Sequence, residues 1–446
     1  MKIAILGAGK TGAYAASVLA HEEHDVTLID RDAGTLAQAG RESDVATLLS
    51  QGLDEALFGE LLEAKPDLFF AATGDDSYNL TACALAKNMG LPKTAARIKS
   101  PWLLQARGLD LKRLFYVDHF VGAEMAAAQD LLSILIHSAD IAFDHFADGA
   151  ILMRTIQIPS TWTKGDVLIR DLGLPENLIV GLIRRRASIL FPHGDDVILG
   201  SDEVTLVGDA KIMHTLHEFF HVPQRKIKSV VMVGGSSVAL HLTRLLLQQR
   251  VAVRIIEKRA SRALELADLV PIATVIHRDA KDSALFSEEH IEGADAVVTC
   301  TEDDGTNLLI GSMARQLQCP KVIALVNDPV NSSLFEKVGI TVALSARVNV
   351  ANRLLAMLHQ DTIHSVGSLS NDTAKIVELK IPASSRCIGI PLAELSAHWP
   401  KDFLIAAIVN RGRVMVGRGH SILCPDDTVI AISGPNHLEQ LHKLFS

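Results

Sequence analysis

The sequence predicts an α/β protein: two tandem parallel-sheet domains, each followed by a small α+β lobe. Three observations predict it. The chain opens with KIAILGAGKTGAYAASVLA (residues 2–20), an apolar strand running into a glycine-rich turn and an alanine-rich helix. Segments of the first half recur in the second at a constant offset. The 446 residues are 48% hydrophobic but only 4% aromatic, so the cores are aliphatic, as suits strands buried on both faces. This length accommodates two to four domains.

The glycine turn admits two phosphate-site readings. Gly9-Lys10-Thr11 matches the end of a P-loop, but its first glycine would fall on Ala4, inside the apolar run Ile3–Leu6. A phosphate-cradling loop cannot start within a buried strand. Gly7, Gly9 and Gly12 instead fit G-x-G-x-x-G. Gly7 gives the tight turn, Gly9 lets the backbone approach a pyrophosphate, and Gly12 lets the helix pack on the strand. The following helix presents free N–H groups to an anion. A second strand, DVTLI, ends at Asp30, 21 residues after Gly9, where the ribose-binding acid belongs. An acid there favours a free 2′-hydroxyl, hence NAD(H) or an adenosine nucleotide over NADP.

The remaining strands of the first domain fall near 45–49, 67–72, 94–98 and 113–117, with a helix over 76–89. The repeat supplies the second domain. SVVMVGGSSVA (229–239) is again strand and turn, and VAVRII leads to Glu257. Gly7 and Gly234 are 227 residues apart, as are Asp30 and Glu257; Thr73 and Thr301, Asp76 and Asp304, Asn79 and Asn307 are each 228 apart. Strands are expected near 229–233, 251–256, 273–277, 295–300, 321–326 and 340–344. After each domain come short strands with hairpin signals and a closing helix, the first over Ala210–His221. The boundaries are therefore 1–138, 139–225, 226–360 and 361–446, with Rossmann-like domains first and third.

Net charge is −9 and the pI about 6.0, which argues against a general nucleic-acid binder. No run approaches the roughly 20 apolar residues of a membrane span. Lys2 leads straight into a strand, so no secretory signal is expected. The five scattered cysteines read as reduced thiols of a cytosolic protein.

Other clusters have plainer readings. His214, His217 and His221 share one helical face and could bind a metal, but the opposite face is apolar, so they read as solvent-facing. Arg184-Arg185-Arg186 could touch acidic lipid and reads more simply as a strand end and turn. Asp76 and Asp304 read as helix N-caps, with Asp75 facing the crevice and able to hold a cation. Asp118-His119 has the look of a catalytic dyad; a joint or assembly role fits better. The stripe in helix 122–137 is either core or an assembly surface.

The combination MKIAILGAGKTG, Asp30, AATGDD, ARIKSP (96–101), VDHFVGAE (117–124) and the lobe segments DVILGSDEVTLVG and SILCPDDTVIAISG resembles the RCK (regulator of potassium conductance, KTN) family. Within it, the closer likeness is to the TrkA-type tandem subunit of Trk potassium uptake. The resemblance spans nearly the whole chain. It implies a cytosolic regulator without catalysis, peripheral on the inner face of the membrane. Its crevices would bind NAD(H), ATP or ADP, and a homo-oligomeric ring would sit under a Trk-type channel. Matched by position, the first site comprises Gly7, Ala8, Gly9, Lys10, Thr11, Asp30, Thr73, Gly74 and Arg97, the last placed to reach phosphate or a neighbouring subunit. The second comprises Gly234, Gly235, Ser236, Ser237, Val238, Glu257 and Thr301. Ser236 stands where Gly9 does and intrudes on the pyrophosphate; Leu325 replaces Arg97. Unequal sites follow, the first tighter. The alternative, an NAD-dependent dehydrogenase acting on a small polar metabolite, lacks a substrate constellation and any nucleophile or metal signature.

Overall fold

The computed structural model describes all residues except 106–107, 137–139, 148–149, 187, 214–215, 222–225, 290, 359–362, 370–373, 397–398, 401, 411–412, 435–436 and 446. The chain divides into two compact units, Met1–Ala127 with Ser345–Leu358, and Ala128–Leu344 with His359–Ser446.

Unit 1 holds one parallel sheet of β1 (Lys2–Leu6), β2 (Asp25–Asp30), β3 (Ala46–Leu49), β4 (Leu68–Ala71), β5 (Thr94–Arg97) and β6 (His119–Val121), in the order β3-β2-β1-β4-β5-β6. Its helices are α1 (Lys10–His21), α2 (Ala33–Glu42), α3 (Glu55–Ala64), α4 (Asp76–Asn88), α5 (Pro101–Gln105) and α6 (Leu111–Leu114), with the start of α7 (Ala123–Ile136). The central strands are buried on both faces, from Ile3 to Ile5 and from Leu68 to Ala71, which is why they read as continuous apolar runs. One layer of the core joins Leu6, Phe58, Phe69, Cys83 and Ile98.

Unit 2 contains three sheets. After α7 come β7 (Asp140–Phe146), β8 (Ile151–Gln157), β9 (Leu178–Arg185), β10 (Ser188–Leu190) and β11 (Glu203–Asp209), ordered β10-β9-β11-β8-β7, then α8 (Ala210–Met213) and α9 (Leu216–Phe219). The second parallel sheet is β14-β13-β12-β15-β16-β17, from β12 (Ser229–Val233), β13 (Ala252–Glu257), β14 (Thr274–His277), β15 (Ala296–Thr299), β16 (Lys321–Leu325) and β17 (Val342–Leu344). Around it lie α10 (Ser237–Gln248), α11 (Ala260–Leu269), α12 (Ser283–Glu288), α13 (Asp304–Gln316) and α14 (Ser332–Lys337). The last sheet, β18-β19-β22-β20-β21, uses β18 (Ile363–Leu369), β19 (Ala374–Lys380), β20 (Phe403–Asn410), β21 (Arg413–Val416) and β22 (Thr428–Ser433), with α16 (Leu392–Leu395) and α17 (Leu438–Phe445). The two antiparallel sheets share a core that includes Met153, Leu182, Val207, Ile376, Ala406 and Ile432.

The helix α15 (Ala346–Leu358) follows the second parallel sheet in sequence yet belongs to unit 1, where it packs along α1. It buries Val350, Leu354, Leu355 and Met357.

One expected strand is corrected. Residues 113–117 are not strand: Asp110 accepts from the Arg113 amide and starts the helical turn α6, and the sixth strand begins at His119. The capping carboxylate outweighs the strand propensity of Phe115, Tyr116 and Val117.

Candidate functional site: two crevices at the strand ends

In each parallel sheet the strand order reverses beside the first strand, between β1 and β4 and between β12 and β15. In open α/β sheets this is where the crevice at the carboxyl ends of the strands receives ligands.

The first crevice is built by the turn after β1. Gly7 has φ 108°, and a Cβ there would lie 3.0 Å from the Thr73 nitrogen. Its N–H donates to the Ile29 carbonyl at 2.7 Å. Ala8 donates its amide to Asp30 Oδ2 at 2.6 Å, and Asp32 donates to Oδ1 at 3.0 Å. Gly9 is the N-cap of α1 and makes no side-chain cap bond. A Cβ on Gly9 would meet nothing within 4 Å, whereas one on Gly12 would sit 1.9 Å from the Gly7 carbonyl oxygen. Gly9 thus leaves open space before the helix, and Gly12 allows close helix packing. Lys10 and Thr11 open α1, whose first turn carries no acid, so its free amides face the open side. These features fit a pyrophosphate.

Thr73 and Gly74 follow β4. Asn79, fully buried, accepts the Thr73 amide and hydroxyl through Oδ1 (3.0 and 2.6 Å) and donates to the Thr73 and Arg97 carbonyls. Lys99 donates its ammonium to the Gly74 carbonyl at 3.1 Å. Arg97 ends β5, one strand further from the turn. Its guanidinium is ion-paired with Glu124 at the start of α7, and the two side chains are only 15% and 12% exposed.

The second crevice repeats this plan. Gly234 has φ 97°, with the Thr301 nitrogen 2.8 Å from a would-be Cβ. Gly235 donates to Glu257 Oε2 at 2.7 Å. Asn307 holds Thr301 as Asn79 holds Thr73, at 2.9 and 2.7 Å. Ser236 turns its hydroxyl back to accept the Ala239 amide at 3.3 Å, capping α10. Ser237 and the buried Val238 open that helix. A pocket of about 260 Å³ lies here, lined by Gly234, Ser236, Glu257, Arg259, Lys281 and Thr301 among others.

The two acids differ in setting. Glu257 is 3% exposed. Burial alone would raise its carboxyl; the amides of Arg259 and Gly235 and the Arg259 guanidinium outweigh this and hold it below the usual carboxylate range. Asp30 is half-buried and receives only backbone amides.

Several readings change. Asp75 and Asp303, not their neighbours, are the N-caps of α4 and α13, accepting from Tyr78 and Thr306. Asp76 instead accepts the amides of Lys99 and Ser100, and Asp304 those of Asn327 and Asp328, clamping the following strand end in both halves. Asp118 accepts from Lys87 Nζ and the Thr94 amide, each at 2.8 Å, so it joins α4 to β5 rather than to its neighbour His119. Arg184 pairs with Glu203 and Glu336 and Arg185 with Asp202, so these two arginines are spent inside unit 2. His214 and the His217 side chain lie outside the described residues; among the described residues no group of three His, Cys, Asp or Glu could hold a metal ion.

The sequence reading missed the roles of Asn79 and Asn307, although their 228-residue repetition was the available signal. It also missed Glu124 and the basic lining of the second pocket.

Doubled Rossmann-like sheets with paired crevices, joined to antiparallel lobes, define a tandem nucleotide-fold architecture. The TrkA-N domain model matches residues 3–106 and 230–346, and the TrkA-C domain model residues 376–446. The chain is 30% identical to the Trk system potassium uptake protein TrkA homolog 1 of Methanosarcina mazei over the full length of both. It is 26% identical to TrkA of Halomonas elongata, over all of this chain and 98% of that one. Among solved structures, the GsuK RCK domain aligns with a TM-score of 0.65 at 17% identity, covering 100% of this chain and 94% of that one. The GsuK channel bound to NAD aligns at 0.64 and 18%, covering 100% and 78%. These likenesses show the shared fold. The chain belongs to the TrkA family of Trk system potassium uptake proteins.

Proposed function

We propose that this chain is the nucleotide-binding regulatory subunit of a Trk-type potassium uptake system. The observation that carries it is the first crevice: an open Gly9, free helix amides, and Asp30 fixed beside the turn by the Ala8 amide. The ligand is NAD(H) or an adenosine nucleotide, held by Gly7, Ala8, Gly9, Lys10 and Thr11 at its phosphates, by Asp30 at its ribose, and flanked by Thr73 and Gly74. The GsuK structures bound to NAD and to ADP support this choice of ligand class. The second site uses Gly234, Gly235, Ser236, Ser237, Val238, Glu257 and Thr301, and is unequal to the first.

The subunit binds nucleotide and releases it chemically unchanged. It acts from the inner face of the membrane, as a homo-oligomeric ring on a potassium channel subunit. Among the described residues no helix is long and apolar enough to cross a membrane. A ligand shifts the ring between two shapes only by its difference in affinity for them; a tenfold preference is worth about 1.4 kcal/mol.

Calorimetric titration of the purified chain with NAD(H), ATP and ADP tests this, with Gly9→Glu as the control. The glutamate fits the fold, since that position faces open space, and fills the place of the phosphates. Saturable binding lost from the first site in the variant is expected. Unchanged binding overturns the site, and steady turnover of nicotinamide with a metabolite overturns the regulatory role.

A further inference from the structure

We propose that the second crevice selects an adenosine ligand carrying a phosphate on its ribose 2′-oxygen, while the first selects the free diol. The inference rests on the reading above that both crevices hold adenosine nucleotides; it assigns them different ligand classes.

The parallel pairing of β13 with β14 sets Glu257 opposite His277, so the residues after these strands share one rim. In the first sheet, Asp30 is likewise opposite Leu49. The two rims carry different charge. After β2 and β3 the chain reads Asp30, Arg31, Asp32 and then Ser50, Gln51, Gly52, Leu53. After β13 and β14 it reads Glu257, Lys258, Arg259 and then Arg278, Asp279, Ala280, Lys281. Both rims have two carboxylates, but the first has one cation and the second four. All four line the second pocket.

The acid of the second rim is closed to a diol. Both acids accept the same two rim amides, one on each oxygen, but Glu257 Oε1 also takes Nε of Arg259, and Glu257 is 3% exposed where Asp30 is half-buried. Asp30 has no cation within 4.0 Å among the described residues and keeps an exposed edge. In dinucleotide folds a carboxylate at this place holds the 2′-hydroxyl, and an arginine nearby accommodates a 2′-phosphate.

The helix cap shows what the substitution costs. Asp32 caps α2, accepting from Gly34 at 2.7 Å and Thr35 at 3.0 Å. Its counterpart before α11 is Arg259, which makes no cap bond. The second half forgoes a good cap and places a half-exposed guanidinium at the pocket mouth instead. Lys258 and Lys281 form no ion pair among the described residues, so they remain available to an anion. Arg278 is held by Asp282 and Glu288 and contributes charge rather than a free donor. Of the other carboxylates on the pocket, Asp279 accepts the Lys281 amide, Asp303 is committed to capping α13, and the exposed Glu302 makes a long ion pair of 3.8 Å with Arg259.

The test uses the full chain carrying Gly9→Glu, so that the first crevice is closed. Adenosine 2′,5′-bisphosphate, adenosine 3′,5′-bisphosphate and adenosine 5′-monophosphate are titrated by calorimetry, followed by NADP and NAD. The 2′,5′-bisphosphate is expected to bind about ten- to a hundredfold tighter than the monophosphate, the range of one charge-assisted contact. Arg259→Asp combined with Lys281→Ala should erase that gap, the 2′,5′-bisphosphate losing about ten- to a hundredfold more affinity than the monophosphate. Arg259→Asp supplies the missing cap but takes the guanidinium away from the buried Glu257, so a melting scan accompanies each titration, and Arg259→Gln with Lys281→Ala repeats the comparison without the added carboxylate. Equal affinity for the 2′,5′-bisphosphate and the monophosphate overturns the inference while leaving a nucleotide site. A 3′,5′-bisphosphate bound as tightly as the 2′ isomer reduces the rim to a general anion site and overturns it too. No binding by any adenosine compound overturns the underlying reading of this crevice as well.

Discussion

Lys93 and Lys321, 228 residues apart, do the same work: each ammonium donates to a carbonyl in the last turn of a long helix. Lys93 reaches Met357 of α15 at 2.9 Å inside unit 1, and Lys321 reaches Ile134 of α7 inside unit 2. A cation there completes an orphan carbonyl and complements the negative end of the helix dipole. Lys321 is 4% exposed. Lys321→Met keeps the apolar stem and removes the donor. It should lower stability by about 1–3 kcal/mol, measured by denaturant unfolding, because a buried carbonyl loses its partner. Lys93→Met, at a half-buried position, should cost less.

The glycines of the first turn should separate stability from binding. Gly7→Ala meets both a positive φ and the Thr73 backbone, and should cost about 1–3 kcal/mol. Gly9→Ala should leave the melting temperature nearly unchanged, while calorimetry shows weaker nucleotide binding. Equal thermal losses in the two variants would contradict the geometry described.

The Arg97–Glu124 pair has no counterpart in the second half, where Leu325 replaces the arginine. Arg97→Leu or Glu124→Gln alone should destabilise by about 1–3 kcal/mol, since each leaves a mostly buried partner unmatched. Arg97→Leu with Glu124→Leu should cost less than the sum of its single changes, and a double-mutant cycle reads that coupling directly.

Acid titration offers a further check. The folded Glu257 carboxyl is held below its ordinary value, so its contribution is complete above the unfolded value of about 4.3 and fades as pH falls through the lower folded one. Glu257→Gln should therefore flatten the loss of stability below about pH 4, read from unfolding curves across pH.

Thiol labelling should find one fast site among the five cysteines. Cys83, Cys300, Cys319 and Cys387 are buried and Cys424 is exposed. Burial pushes the Cys83 and Cys300 thiols up to about 12, leaving almost no thiolate at neutral pH. Denaturant should bring all five to similar rates.

What the sequence disclosed is what local chemistry determines. The strand, glycine turn and helix from Lys2 to His21 are specified by contiguous residues, and the 227–228 offset carries the same plan to the second sheet. The fourth-strand lock was visible as a repeated Thr and Asn without showing that Asn79 bonds two strand-end carbonyls. Misreadings arose where neighbours compete. Asp75 and Asp76 differ by one position; the first caps the helix and the second turns to the Lys99 and Ser100 amides. Phe115–Val117 has strand-forming side chains, yet the cap at Asp110 winds the preceding residues into a helical turn. Arg97 with Glu124, and the four cations after β13 and β14, become neighbours only through parallel strand pairing, which brings together residues some 20–27 positions apart.

The placement of α15 also has a consequence for the order of synthesis. The helix that covers α1 comes after residue 345, behind more than two hundred residues belonging to unit 2. A ribosome that has released the whole amino-terminal sheet has still not delivered the piece that buries one of its helices. The first-made fold is therefore among the last to be finished, and a nascent chain halted before Leu358 emerges leaves one side of α1 without its cover.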